Sequence, residues 1–197
     1  NLKLTMKKIK IGIFGPYGRM GRDLIEQIKM FDSMELSSLC ERKKHKMVGK
    51  EIDKVLVQDN IENLINNSDV IIDFTSPQAT IELLRTLKRI NAKTAIVTGT
   101  TGYTSDEEKK FKSLVRGITI LRSFNMSIGI NLLKNLTKLT SKIIGSESDI
   151  EILETHHNKK RDIPSGTSLS LADSVSEGNQ NIKKYSFREK NNNRVRQ

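Results

Sequence analysis

Cysteine occurs once in these 197 residues, at Cys40, which rules out an internal disulfide and a thiolate metal cluster. The three histidines, His45, His156 and His157, add too few ligands for a structural zinc site, and no metal is expected. Tryptophan is absent, aromatics make up 5%, and no apolar run approaches the roughly 20 residues of a membrane span. The first residues lack the apolar stretch and small-residue cleavage site of a signal peptide. A cytoplasmic chain with no membrane partner is expected. Only three prolines occur, so Pro16, Pro77 and Pro164 each carry positional information.

What is present suits a globular protein. Hydrophobic residues at 36% and charged residues at 29% suffice for a core. Lys and Arg number 34 against 23 acids, a net charge of +11 that attracts anions. The excess falls in three separate clusters: Arg42 to Lys46, Lys159 to Arg161, and Lys183 to Arg196. With so few aromatics these make a poor stacking surface for single strands, and no nucleic acid partner is expected.

Residues 1–125 alternate between two periods. Residues 10–14, 36–40, 69–74, 94–98 and 118–121 read as strands, the third apolar enough to be buried on both faces. Between them, helices are predicted from Gly18 (apolar positions Met20, Leu24, Ile25 and Ile28), over 60–66, from Pro77 (with Ile81, Leu84 and Leu87), and over 105–115. That order predicts an α/β fold, a doubly wound parallel sheet whose ligand crevice lies at the strand C-termini. The pattern changes near Asn125. A helix over 127–144 carries Ile128, Leu132, Leu136, Leu139 and Ile143 along one side. A strand over 150–154 and a helix over 165–175 follow, giving a smaller α+β domain over 126–197.

Gly15-Pro16-Tyr17-Gly18-Arg19-Met20-Gly21 follows the first strand and opens the first helix. Small residues there let backbone approach a pyrophosphate, and the helix N-terminus supplies N–H donors. Glu41, twenty residues after Gly21, ends the second strand, where a carboxylate accepts ribose hydroxyls. Arg42 beside it would pair with a 2′-phosphate. A second cluster runs from Glu154 through His156, His157 and Lys160 to Ser165-Gly166-Thr167. Histidine and lysine exchange protons, and the Ser-Gly-Thr turn is an anion site suited to a carboxylate. Together these point to dinucleotide-dependent reduction of a small acid.

The same blocks, with Asp73-Phe74-Thr75, Gly99-Thr100-Thr101-Gly102 and Asn125 to Asn131, resemble the 4-hydroxy-tetrahydrodipicolinate reductase (dihydrodipicolinate reductase) family of bacterial lysine biosynthesis. The resemblance implies a Rossmann-type dinucleotide domain, NADPH or NADH as cofactor, and a cyclic dicarboxylate substrate. It makes His156 the acid/base residue and Lys160 a proton donor, with His157, Gly166 and Thr167 on the substrate. Gly15 to Met20, Glu41, Arg42, Gly99, Thr100, Thr101, Ser123, Phe124, Asn125 and Met126 would hold the cofactor. Pro16 and Tyr17 depart from the family's phosphate turn, and Phe124 stands where a small residue or proline is usual. Full-length members are expected to be homotetramers. This chain stops before the family's closing strands and helix, so its second domain is expected to be C-terminally incomplete. A related two-domain oxidoreductase, a cofactor-binding but inactive fragment and a basic nucleic-acid binder are the alternatives.

Overall fold

The computed structural model describes residues 7–156, 164–179 and 181–182, which divide into two compact units meeting in sequence between Phe124 and Asn125. The first unit holds seven strands: β1 (Ile9–Phe14), β2 (Met34–Cys40), β3 (Glu51–Ile52), β4 (Val55–Gln58), β5 (Val70–Asp73), β6 (Ala95–Thr98) and β7 (Ile120–Arg122). Its helices are α1 (Arg19–Ile28), α2 (Ile61–Asn66), α3 (Pro77–Arg89) and α4 (Ser105–Leu114). The sheet order is β3-β4-β2-β1-β5-β6-β7, parallel except for the β3–β4 pair. Without the β3 edge this is the Rossmann arrangement, whose strand order reverses between β1 and β5. Ligand crevices in such sheets open at that switch point, beyond Phe14 and Asp73.

The strand period explains the two cores. Ile11 and Ile13 point to one face and pack with Ile25 and Ile28 of α1, Leu39 and Val57. Phe14, Cys40 and Ile71 join Leu83, Leu84 and Leu87 of α3, Ile96 and Phe111 on the other. Truncating Leu84, fully buried, would destabilise the unit by about 2–5 kcal/mol. Caps define the helix starts. Ser76 accepts the Ala79 N–H ahead of Pro77, and Thr104 and Glu107 form a reciprocal capping box.

Two features of the first unit lie outside the sequence reading. Residues 51–58 form a hairpin and a further parallel strand, β4, which sequence periodicity does not predict. Its turn residues Asp53 and Lys54 adopt φ +50° and +66° without glycine, and its pairing with Leu39 and Cys40 is non-local. Met20, expected on the buried side of α1, is 44% exposed.

The second unit contributes α5 (Ile128–Ile144), a short 3-10 turn (Gly145–Glu147) and α6 (Gly166–Gly178). The helices are joined by the Ser141 hydroxyl donating to the Val175 carbonyl at 2.8 Å and by a Lys138–Glu177 ion pair at 2.9 Å. The strand expected over 150–154 does not form. Among the described residues nothing pairs with it, and an unpaired strand leaves its backbone groups without partners. Ile128, Leu132, Leu136, Leu139 and Ile143 all remain more than half exposed.

Candidate active site

In the first unit, the sheet edge beyond the strand C-termini gathers most of the residues singled out from the sequence. After β1 the backbone turns at Gly15, whose φ of +82° suits glycine. The Gly15 N–H donates to the Cys40 carbonyl at 2.9 Å, and the Gly18 N–H closes the turn on Gly15 at 3.2 Å. Gly21 rests directly on this turn. A Cβ there would overlap the Gly15 carbonyl oxygen and stand 2.8 Å from Pro16 Cα. Gly18 caps α1 without a side-chain bond, and no acid sits in the first turn, whereas the other five α-helices carry an Asn, Ser or Thr cap. The first N–H groups of α1 therefore face outward with the positive dipole end, the form a phosphate needs. Despite the donor that Pro16 removes, the cradle fits a dinucleotide pyrophosphate.

Tyr17 is accommodated by turning out of the cradle. It packs beside the Ile11–Ile13 cluster, with its ring 5.3 Å from that of His45 and the Arg22 guanidinium 5.9 Å from its centre. Glu41 sits just past β2, its N–H bonded to the Gln58 carbonyl at 2.8 Å and its Oε1 accepting the Arg42 N–H at 3.0 Å. Arg42, Lys43 and Lys44 are exposed beside it. Cys40 is no nucleophile: burial, then the charges of Asp59 and Glu41, push its thiol up to about 12.

Beyond β6, Gly99 lies against Phe74, whose ring any Cβ would overlap; Thr100 is buried and Thr101 exposed. Beyond β7, the Ser123 N–H donates to the Thr98 carbonyl at 3.1 Å. Arg122 anchors this corner. It binds Glu108 through two nitrogens at 2.9 and 2.8 Å and stacks on Tyr103, Phe111 and Phe124. The bulk of Phe124 is thus held on the guanidinium, with 62% of the residue exposed.

In the second unit, Asn125 Oδ1 accepts the Ser127 N–H at 2.9 Å, and its amide donates to Thr167 Oγ1 at 3.4 Å. Met126 is 39% exposed. The central feature is Glu154. Its Oε1 accepts the Ser165 N–H at 2.9 Å, and its Oε2 meets His156 Nε2 at 2.8 Å. Desolvation pushes this carboxyl up, but hydrogen bonds from Ser165, Ser168 and His156 outweigh it and hold the group at about 2. A carboxylate ionised down to that pH accepts from the imidazole, so neutral His156 carries its proton on Nε2 and presents Nδ1 as the free base. Ser165 caps α6 by accepting the Ser168 N–H at 3.1 Å, which leaves the Gly166 and Thr167 N–H groups without intrahelical partners. Gly166 has open space where a Cβ would be. His157 and Lys160 lie outside the described residues.

Sequence reasoning assigned no part to Glu154 or Asp73. Glu154 stands two residues before His156, the spacing that puts side chains on one face of an extended segment. Asp73 closes an apolar strand, an unusual place for a carboxylate.

Because the Glu154 carboxyl is depressed from 4.5 to about 2, its hold on Ser165 and His156 is complete above pH 4.5 and is lost as pH falls through 2. Carbon-detected NMR of the Glu154 carboxyl should show that low midpoint. A midpoint in the ordinary carboxylate range would mean the clamp does not form.

Two profiles of one protein family cover nearly all the described residues. The N-terminal profile of dihydrodipicolinate reductase matches residues 9–126, and its C-terminal profile matches 129–197. This chain belongs to the dihydrodipicolinate reductase family. Among curated family members, the 4-hydroxy-tetrahydrodipicolinate reductase of Buchnera aphidicola subsp. Acyrthosiphon pisum (strain Tuc7) is 43% identical over 178 residues, covering 86% of this chain. That of Roseobacter denitrificans is 40% identical over 178 residues, again 86% of this chain. The chain spans 65% of the length of each. Of solved structures, dipicolinate-bound dihydrodipicolinate reductase from Paenisporosarcina sp. TG-14 superposes with a TM-score of 0.71 at 28% identity, over 94% of this chain and 72% of that one. Among the described residues of this family member, no helix is long and apolar enough to cross a membrane, and no cluster of His, Cys, Asp and Glu would hold a metal.

Proposed function

We propose that the intact protein reduces 4-hydroxy-tetrahydrodipicolinate to tetrahydrodipicolinate with NADPH or NADH, in the diaminopimelate route to lysine. The first domain would bind the dinucleotide and the second the dicarboxylate. The observation that carries the reading is the Glu154 clamp. One carboxylate holds His156 through one oxygen and the start of α6 through the other, so an acid–base group and an anion-receiving helix end share a support.

The nicotinamide would supply hydride; the chain's own residues do the rest. The α1 N-terminus and the Gly15 turn would take the pyrophosphate, and Glu41 Oε2 the adenosine ribose. The Gly166 and Thr167 N–H groups would take a substrate carboxylate. His156, held at Nε2 by Glu154, would first take a proton from solvent on Nδ1 and then deliver it as hydride adds and the hydroxyl departs as water. His157 and Lys160, as the family resemblance implies, would add a substrate contact and a second proton donor. The full-length protein, given substrate formed from aspartate semialdehyde and pyruvate, should oxidise NADPH in step with product. Absence of turnover with either cofactor would sink the reading.

Arg42 is the proposed partner of the 2′-phosphate. Arg42→Ala should weaken NADPH binding by about 10–100-fold, the worth of a charged hydrogen bond, and leave NADH nearly unchanged. Equal losses for both cofactors in calorimetric titration would place Arg42 on the shared pyrophosphate instead.

A further inference from the structure

A fully buried carboxylate lies directly under the crevice, and the reaction proposed above does not use it. Asp73, the last residue of β5, has no exposed surface. Its Oδ1 accepts the N–H and hydroxyl of Thr75 at 3.0 and 2.5 Å. Its Oδ2 accepts the hydroxyls of Thr80, Thr98 and Thr100 at 2.5, 3.0 and 3.3 Å. Five donors on two oxygens suit the ionised form. Among the described residues no cation pairs with it.

Burying an unpaired charge is expensive, and an apolar side chain would serve the core better. The arrangement of donors gives the reason for keeping it. Thr75 belongs to the turn after β5, Thr100 to the loop after β6, and the two are themselves joined at 3.2 Å. The Gly99 N–H donates to the Asp73 carbonyl at 3.0 Å. The methyl of Thr75 lies 2.7 Å from where a Cβ of Gly15 would stand, so the same knot presses on the turn after β1. One carboxylate thus sets the mutual register of three loops at the switch point.

We propose that Asp73 is a positioning residue for the dinucleotide. Through Thr75 and Thr100 it locks the β1, β5 and β6 loops in the shape that receives the pyrophosphate and nicotinamide half, and it touches no ligand itself. The inference rests on the dinucleotide reading given above. It predicts an effect confined to one half of the cofactor, since the Glu41–Arg42 loop that would hold the adenosine end makes no bond to the knot.

The test is calorimetric titration of Asp73→Asn with NADPH and with 2′-phosphoadenosine, a fragment that reaches only the adenosine end. Asparagine keeps the shape and removes the charge. NADPH affinity should fall about tenfold or more, as for a lost charge-assisted network, while fragment affinity stays within about twofold. Thr80→Val is the second variant: it deletes one hydroxyl at a fully buried site and should give the same split at about threefold, whether or not Asp73→Asn folds. Equal loss for both ligands would make the knot merely structural, and no loss for either would remove it from cofactor binding; each result overturns the proposal. Wild-type protein that binds neither ligand overturns the dinucleotide reading and this inference with it.

Discussion

His156→Ala should lower turnover of the full-length protein on the order of 10²–10⁴-fold while dinucleotide affinity is unchanged. That range is the usual worth of a general acid–base group. The split follows from placement: His156 hangs from Glu154 in the second unit, and the Gly15 cradle belongs to the first. Glu154 sharpens the test. Glu154→Gln keeps an acceptor for one partner but removes the charge that fixes the imidazole proton on Nε2, so it should lower turnover less than His156→Ala and shift the pH–rate profile. Steady-state kinetics across pH, with cofactor binding measured separately, read both variants. Near-normal turnover in His156→Ala would return this histidine to a structural part.

Gly21→Ala should cut affinity for NADPH and NADH alike by tenfold or more, and destabilise the first unit by about 1–3 kcal/mol, the range for overpacking. The added methyl meets backbone, the Gly15 carbonyl oxygen and Pro16 Cα and C, which cannot swing aside as a side chain could. The turn must open, and its N–H groups then no longer converge on one anion. Gly49→Ala is the matched control. Gly49 has φ +85° but nothing within 4 Å of its Cβ position, so it should lose about 1–2 kcal/mol of stability to strain and no cofactor affinity. Unaltered dinucleotide binding in Gly21→Ala would refute the cradle.

Much of the first unit was legible because its signals are local. The 3.6-residue spacing of Leu24, Ile25 and Ile28 and Pro77 at a helix start each act within one or two turns. The apolar run ending at Asp73 marks a strand covered on both faces for the same reason. The glycines at 15 and 21 were legible as a tight strand-to-helix turn because the positive φ of Gly15 and the backbone lying against Gly21 leave little choice of residue.

What the sequence determined by itself, then, is the alternation of strand and helix, the glycine turn between β1 and α1 and the helix start at Ser165. The tertiary structure alone decided the rest. β4 exists because Leu39 and Cys40 offer it a ladder, whereas residues 150–154, similarly apolar, find no partner among the described residues and stay irregular. Asp73 looks like a misplaced charge until Thr75, Thr80, Thr98 and Thr100 converge on it from four segments. Glu154 becomes a clamp only when the chain returns, eleven residues later, to present the Ser165 N–H. Periodicity reports which face a residue takes; hydrogen-bond partners distant in sequence are set by where the folded chain brings them, and that is a property of packing.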